Sequence, residues 1–335
     1  MEFSPLKTLS RPIISSNLLA LSSTLRATSH PISSGALNSV SGRISGNRSV
    51  QEFGKVQKPV RNSSSGFRRS FGVSVTAMAA KVDVKKGAEL KLYEKGSELA
   101  EDLAAYVADL SAKAISERGS FTVVLTGGSL FKSMGKLTEE PYIGKVDWSR
   151  WHVFWGDERV VPLDHPESNY KLAYDNFLSK VPIPSSQVHA INDKLSPQPA
   201  AADYEFVLRQ LVKTKVLSLA DTGDYPRFDL LLLGMGPDGH MCSLFPHHPL
   251  VHKTEVWITS IEDSPKPPPE RITFTLPVIN SGANVAFVAT GSAKADKISL
   301  VFGPDLPFGE LPAQLVKPYK GHLVWFTDKD AASKL

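Results

Sequence analysis

Short apolar runs alternate with segments of helical periodicity from about residue 82 to the end of the chain. Apolar residues recur at helical spacing in four segments, which are predicted helices: 92–119, 168–178, 201–217 and 291–302. Shorter apolar runs predict a strand in each of six segments, the first of which also enters a glycine-rich turn: 121–129, 151–161, 229–236, 271–279, 284–291 and 322–328. Buried strands that alternate with helices indicate an α/β fold, with a mainly parallel sheet covered by helices on both faces.

Four turns rich in glycine and polar residues follow predicted strands. They are TGGS (126–129), GDERVVP (156–162), GMGPDGH (234–240) and ATGSAK (289–294). Ligands of open parallel sheets bind beyond the carboxyl ends of the strands. We therefore expect these turns to converge in one site.

The third turn contains the spacing G-x-G-x-x-G at Gly234, Gly236 and Gly239. This spacing indicates a dinucleotide site only when a helix begins directly after the glycines. Pro246 and Pro249 leave almost no room for such a helix. The pattern therefore favours another use of the glycines, in which the backbone approaches a ligand closely.

Asp238 and His240 follow the same strand, two residues apart. An imidazole is the natural general base near neutral pH, and a neighbouring carboxylate can orient it and stabilise its charged form. The alternative is a turn aspartate beside a structural histidine. A lone Asp-Gly-His would favour the alternative, but its place at a strand end, together with the family resemblance described below, favours catalysis.

The first turn offers backbone N–H groups that could hold an anion at Gly127, Gly128 and Ser129. An ordinary strand-to-helix turn is the alternative. Cations at other strand ends strengthen the anion hypothesis, although each could be a surface residue: Arg159, Arg271 and Lys294.

Asp157 and Glu158 are adjacent, and neighbours on an extended segment point in opposite directions. We expect one of them to enter the site and the other to form a structural pair.

Four histidines lie near the chain's one cysteine, and such a group could form a zinc site: His240, His247, His248, His252 and Cys242. Their spacing matches no familiar zinc pattern, so we expect no metal. We expect Cys242 to pack rather than to react, and the sequence contains no G-x-S-x-G nucleophile elbow.

The chain has 335 residues, 41% of them hydrophobic, and no apolar run long enough to span a bilayer, which predicts a soluble protein. With one cysteine no intramolecular disulfide can form, which favours a reducing compartment. Residues 1–78 contain ten Lys and Arg, two acids and 18 Ser, so the remaining residues are mildly acidic and do not suggest nucleic-acid binding. That composition predicts a disordered plastid transit peptide over 1–78, with a retained disordered tail as the alternative, and one domain over 79–335. The terminal Ser333-Lys334-Leu335 is a peroxisomal address and suggests a second destination.

Five stretches together resemble the 6-phosphogluconolactonase family, in the family's order and across nearly all of residues 90–328. They are LTGGSL (125–130), FWGDERVVPLDHPESNY (154–170), LLLLGMGPDGHMCSLFP (230–246), ERITFTLPVIN (270–280) and ATGSAKA (289–295). The resemblance implies a three-layer α/β/α fold with a modified Rossmann-like sheet. It implies hydrolysis of 6-phospho-D-glucono-1,5-lactone to 6-phospho-D-gluconate in the oxidative pentose phosphate pathway, with no cofactor and no metal.

The resemblance also assigns roles to the candidate residues. His240 is the expected base, with Asp238 orienting it, and Arg159 stabilises the oxyanion or contacts the phosphate. The expected substrate- and phosphate-binding positions are Gly127, Gly128, Ser129, Lys294, Arg271 and Asp157. We expect a monomer whose partners are the sugar-phosphate lactone and the import receptors of the plastid and the peroxisome, with neither nucleic acid nor membrane.

Two other functions stay open. Glucosamine-6-phosphate deaminases resemble G-x-D-G-H-I-A-F-N-E-P in this loop, with a carboxylate soon after the histidine. Here Ser243, Leu244, Phe245 and Pro246 occupy that stretch, which disfavours the deaminase. A non-catalytic sugar-phosphate sensor is the second alternative, and the presence of both Asp238 and His240 disfavours it.

Overall fold

A computed structural model of the chain describes residues 81–335. The transit peptide predicted for 1–78, and the domain boundary after it, lie outside the described residues. Within 81–335 there are twelve strands: β1 (Lys81–Lys85), β2 (Ala88–Tyr93), β3 (Phe121–Leu125), β4 (Trp151–Trp155), β5 (Asp157–Arg159), β6 (Ser218–Leu219), β7 (Pro226–Arg227), β8 (Leu230–Leu233), β9 (Ile258–Ile261), β10 (Arg271–Phe274), β11 (Asn284–Ala289) and β12 (His322–Asp328).

The same residues form seven α-helices: α1 (Gly96–Arg118), α2 (Leu130–Met134), α3 (Tyr142–Lys145), α4 (Asn169–Asn176), α5 (Pro197–Lys213), α6 (Leu276–Asn280) and α7 (Ala295–Phe302). Short 3₁₀ helices include Pro249–His252 and Ser292–Lys294. No helix in this part of the chain is both long enough and apolar enough to cross a bilayer.

The central sheet has seven strands in the order β1-β2-β12-β11-β8-β3-β4. Every neighbouring pair from β2 to β4 is parallel, and β1 pairs with β2 in the antiparallel sense. Three strands form a separate antiparallel sheet in the order β5-β10-β9. This second sheet continues directly from the end of β4, so it lies beside the carboxyl end of the parallel sheet.

Two apolar cores cover the two faces of the central sheet. Strand β8 shows the division: Leu231 and Leu233 face the core that contains residues of α5, α6 and α7, whereas Leu230 and Leu232 face the core formed with α1, α2 and α4. All four leucines are fully buried, and burial of each contributes about 1.5–3 kcal/mol. The predicted three-layer α/β/α arrangement with a mainly parallel sheet is confirmed.

Helices α1 and α5 begin at other residues than predicted. Helix α1 starts at Gly96 rather than at Leu92, because Leu92 and Tyr93 complete β2 and pair with β12. Its predicted end is confirmed: Gly119 takes φ 80° and donates its N–H to the carbonyl of Ile115 at 2.8 Å, which caps the helix. Helix α5 starts at Pro197 instead of residue 201, since a proline fits the first turn of a helix.

Two predicted strands are wrong in part. Residues 151–161 do not form one strand. The chain bends at Gly156, which separates β4 of the central sheet from β5 of the second sheet. A Cβ at Gly156 would lie 3.1 Å from Cys242 Sγ and from Thr126 Cγ2, so the bend needs a residue without a side chain. The strand predicted for 271–279 ends at Phe274, because Pro277 starts the short helix α6. Strands β1, β2, β6, β7 and β9 were not predicted.

Candidate active site

A cleft of about 270 Å³ opens where β3, β8 and β11 end and where β4 continues into β5. All four predicted turns contribute to its wall: Thr126, Gly127, Gly128, Ser129, Asp157, Arg159, Asn169, Gly234, Met235, Gly236, Pro237, His240, Cys242 and Lys294. A larger hollow of about 470 Å³ lies between α5 and β9 and has no histidine on its wall. The cleft is therefore the candidate active site, since it holds the groups that can transfer a proton.

His240 lines the cleft and is paired with the carboxylate of Asp238, which lies behind the wall. His240 Nδ1 lies 2.5 Å from Asp238 Oδ1. A carboxylate only accepts hydrogen bonds, so this contact assigns the proton to Nδ1 and leaves the lone pair on Nε2. Burial by itself would raise the pKa of Asp238, but the hydrogen bond and charge of His240, together with Lys266, lower it below its ordinary value. Asp238 therefore stays ionised beside the ring.

The glycines of this turn make room for the pair. A Cβ at Gly236 would lie 2.2 Å from His240 Nδ1 and 2.6 Å from Asp238 Oδ1. Gly236 N–H donates to the carbonyl of His240 at 2.9 Å, and Gly239 takes φ 92° to close the turn. The next helical turn begins at Pro249, so the helix that a dinucleotide site needs does not follow the glycines.

Asp157 and Glu158 point in opposite directions, as expected, and the structure shows which of them lines the cleft. Asp157 lines the cleft and accepts hydrogen bonds from Ser243 Oγ at 2.9 Å and Asn169 Nδ2 at 3.3 Å. Glu158 turns away and accepts the backbone N–H groups of Asn169 and Tyr170, each at 2.7 Å, at the start of α4. Burial raises the pKa of Glu158 to about 7, against the lowering effect of these hydrogen bonds. Glu158 is thus a structural anchor for α4.

Arg159 lines the cleft, whereas Arg271 does not. Arg159 Nη1 donates to the carbonyl of Glu167 at 3.1 Å, and its buried Nε has no hydrogen-bond partner among residues 81–335. Arg271 is 2% exposed and directs its guanidinium to backbone carbonyls of the 262–270 loop. Burial and the neighbouring Arg159 lower the pKa of Arg271 to about 10. We expected Arg271 near a phosphate, but the structure places it behind the wall as a brace for the loop.

The turns that follow β3 and β11 carry the candidate phosphate-binding groups. Gly128 takes φ 83° in the turn after β3, and a Cβ at Gly127 would lie 2.2 Å from Asn169 Oδ1, so this turn cannot carry side chains at these positions. Ser129 follows in the same turn. Lys294 reaches the cleft from the 3₁₀ helix after β11, and its ammonium has no hydrogen-bond partner in the described part of the chain. Burial lowers the pKa of Lys294, while Asp328 acts in the opposite direction.

Sequence reasoning missed two residues of this site. Lys266 Nζ lies 3.0 Å from Asp238 Oδ1 and 3.3 Å from His240 Nδ1, although it belongs to the proline-rich segment predicted only as a loop. Asn169 joins the first two turns, and although it lies in the quoted stretch 154–170 it was not singled out as a site residue. Both residues contact site residues that lie more than 10 positions away in the sequence, so the residues next to them do not indicate their place in the site. Within 81–335 no group of three His, Cys, Asp or Glu side chains is arranged to hold a metal.

Comparison with known proteins adds to this geometry. A family model described as glucosamine-6-phosphate isomerases/6-phosphogluconolactonase matches residues 94–325. The chain is 57% identical over 248 residues to a probable 6-phosphogluconolactonase 4, chloroplastic, of Oryza sativa subsp. indica, covering 74% of this chain and 76% of the relative. It is 52% identical over 275 residues to 6-phosphogluconolactonase 3, chloroplastic, of Arabidopsis thaliana, covering 81% of this chain and 82% of the relative.

Solved structures share the fold. The crystal structure of 6-phosphogluconolactonase from Thermotoga maritima matches with a TM-score of 0.60 and 30% identity, over 72% of this chain and 99% of that one. The structure of 6-phosphogluconolactonase from Trypanosoma brucei matches with a TM-score of 0.64 and 24% identity, over 75% of this chain and 100% of that one.

Proposed function

Because the chain belongs to the family of glucosamine-6-phosphate isomerases and 6-phosphogluconolactonases, we propose that its cleft hydrolyses 6-phospho-D-glucono-1,5-lactone with His240 as the general base. The plant relatives and the solved neighbour from Thermotoga maritima carry the lactonase name, so the enzyme is a lactone hydrolase of the pentose phosphate pathway. The observation that carries the mechanism is the pairing of Asp238 with His240, which lines the same cleft as Arg159 and Lys294.

The reaction needs one activated water. His240 Nε2 takes a proton from water as the oxygen attacks C1 of the lactone, and the anionic Asp238 stabilises the imidazolium that forms. Arg159 offers its guanidinium to the oxyanion that develops on the C1 oxygen. When the bond between C1 and the ring oxygen breaks, the imidazolium returns its proton to that oxygen, which becomes the C5 hydroxyl. The carboxylic acid that forms at C1 loses its proton to solvent to give 6-phospho-D-gluconate, and the base is regenerated.

The phosphate is proposed to bind the turns that follow β3 and β11. Lys294 supplies the charge, and the turn of Gly127, Gly128 and Ser129 supplies backbone N–H groups. The unpartnered ammonium of Lys294 supports this assignment, because a half-buried cation is stabilised when an anion binds it. Holding the phosphate there would direct C1 of the substrate toward His240.

A coupled assay tests the function. The purified chain is added to 6-phosphogluconolactone generated in situ, and the rate at which the lactone disappears is compared with the rate of spontaneous hydrolysis. We expect acceleration by the wild type and a loss of about 10²–10⁴-fold in kcat for His240→Ala. A wild type that binds the lactone without accelerating its hydrolysis would support a sugar-phosphate sensor. Ammonia release from glucosamine 6-phosphate would support a deaminase, which the absence of a carboxylate from residues 241–246 disfavours.

Relatives at 52–57% identity are named chloroplastic, which supports a plastid location. We propose delivery by plastid import receptors and a monomeric enzyme. The peroxisomal address Ser333-Lys334-Leu335 stays a prediction, and in the folded chain Lys334 Nζ lies 2.5 Å from Asp296 Oδ1. Fluorescent reporters that carry either end of the chain would test both destinations, and light scattering of the purified chain would test the monomer.

A further inference from the structure

Lys266 contacts both members of the imidazole–carboxylate pair but does not line the cleft. Its Nζ lies 3.0 Å from Asp238 Oδ1 and 3.3 Å from His240 Nδ1, so three charged or polar atoms meet in one triangle. An ammonium has three donors and no acceptor. It can therefore donate to the carboxylate, whereas toward the protonated Nδ1 it acts only through its charge.

The loop that carries Lys266 is held in place by a buried arginine. Arg271 donates from Nη2 to the carbonyls of Lys266 and Pro267 at 2.8 and 2.9 Å, and from Nε to the carbonyl of Pro268 at 2.8 Å. Ser264 Oγ adds a further hydrogen bond to the Lys266 carbonyl at 2.8 Å. Three successive carbonyls are thus fixed by one guanidinium. This bracing gives Lys266 a defined position, although its side chain is 37% exposed.

We propose that Lys266 is a positioning residue of the lactonase reaction, whose ammonium holds the Asp238 carboxylate and keeps the His240 ring in the neutral form that can accept a proton. The proposal rests on the function proposed above. Asp238 alone would favour the imidazolium, which cannot act as a base. The positive charge of Lys266 opposes that effect. The His240 ring therefore remains neutral, and able to accept a proton, at a lower pH than it would beside a carboxylate without Lys266.

Other charged groups around the pair do not take this role. Asp157, Arg159 and Lys294 line the cleft with His240, one anion and two cations. Lys297 of α7 approaches Gly239 with its aliphatic Cδ. The guanidinium of Arg271 is separated from the His240 ring by Phe245, which packs against both. Among these groups, Lys266 makes the direct contact with Asp238 and His240.

The test compares Lys266→Met, Lys266→Gln and Lys266→Arg with the wild type. The glutamine keeps a donor for Asp238 but removes the charge, and the arginine keeps the charge. Lys253→Met is the matched control, because Lys253 pairs with Glu255 beside the other hollow and its side chain is 43% exposed. For each protein, kcat/KM is measured across the acid and neutral pH range, with the spontaneous rate subtracted at each pH.

We expect the acid limb of the kcat/KM profile to move up by about one pH unit in the methionine and glutamine variants, which is the interaction of two unit charges at this distance under water-like screening. On the acid side this is about a tenfold loss, with near wild-type activity at higher pH. The arginine variant restores the wild-type profile, and Lys253→Met leaves it unchanged. An equal loss at every pH, or a profile that does not move, would overturn the proposal.

A second measurement separates this proposal from the proposed function. Nitrogen-15 spectra of the His240 ring, recorded in a pH titration of the folded protein, report the neutral tautomer and its protonation without any substrate. We expect the ring to gain its proton at a higher pH in Lys266→Met than in the wild type. An inactive wild type would refute the lactonase, whereas identical His240 titrations in the two proteins would refute the role of Lys266.

Discussion

Gly236 lies directly under the imidazole of His240, at a distance that leaves no room for a side chain. A Cβ at this position would stand 2.2 Å from both Nδ1 and Cε1 of the ring. The Gly236 N–H also donates to the His240 carbonyl at 2.9 Å, so the turn holds the catalytic candidate from two directions. Gly236, the second glycine of the apparent dinucleotide pattern, therefore leaves the space that the ring of His240 occupies.

Gly236→Ala is expected to lower kcat by at least about 100-fold while the protein stays folded, because the added methyl must push the ring away from Asp238. The displaced atoms belong to side chains, and the backbone at Gly236 has no positive φ, so the fold can accommodate the change. Gly234→Ala is the matched control: it lines the same cleft, but its nearest neighbour would be 3.6 Å from the new Cβ. Comparable kinetic losses in the two variants would refute this account.

Lys294→Ala is expected to raise KM by about tenfold to a hundredfold with a small change in kcat. The reason is that one charge-assisted hydrogen bond to the phosphate contributes about 1.5–3 kcal/mol, in the ground state and the transition state alike. Steady-state kinetics with the lactone measure the split, and Lys253→Met provides the control for loss of a lysine elsewhere. An unchanged KM with a large fall in kcat would instead place Lys294 next to the reacting atoms.

Local patterns predicted the fold because strand and helix periodicities are written in neighbouring residues. The four leucines of β8 and the Gly119 cap are examples, and each was placed correctly. Two of the errors lie where one residue changes the path of the chain. Gly156 turns the run at 151–161 into two strands of different sheets, and Pro277 converts the end of the 271–279 run into helix. Periodicity does not register such single-residue events.

The sequence predicted those site residues that lie in turns directly after a strand and have ionisable side chains. Asp238, His240 and Lys294 stand at strand ends, and the parallel sheet brings those ends together. Lys266 was not predictable, because its position depends on the buried Arg271, whose contacts with the loop carbonyls appear only in three dimensions. The same contacts explain why Arg271 lies behind the cleft wall.

Glu158→Gln is expected to destabilise the protein by about 2–3 kcal/mol, measured by urea unfolding. The carboxylate accepts the N–H groups of Asn169, Tyr170 and Arg159, and an amide nitrogen would oppose at least one of these donors and leave it unpaired. Asp157→Asn is the matched change at the neighbouring position. We expect it to cost less than about 1 kcal/mol, because the hydroxyl of its partner can turn from donor to acceptor. Equal destabilisation by both changes would contradict the assignment of Glu158 as the anchor of α4.

His152 of β4 and His189 form a histidine pair that links stability to pH. His189 Nε2 lies 3.2 Å from His152 Nδ1, and the His189 ring stacks on Phe154. Burial and then the charge of His152 lower the pKa of His189 to about 4, from an ordinary value of 6.5. The folded protein therefore disfavours the proton that the unfolded chain accepts, so this group contributes stability above pH 6.5 that is lost as pH falls toward 4.

His189→Gln should remove this contribution. We expect the destabilisation caused by the substitution to be smaller at about pH 5 than at about pH 7, by about 2 kcal/mol. The comparison is with the wild type at each pH, because Glu158, whose pKa is raised to about 7, acts in the opposite direction over the same range in both proteins. Urea unfolding at the two pH values measures the difference, and His322→Gln, at an exposed histidine, is the control. If the effect of His189→Gln were the same at both pH values, His189 would not be held in its neutral form by the fold.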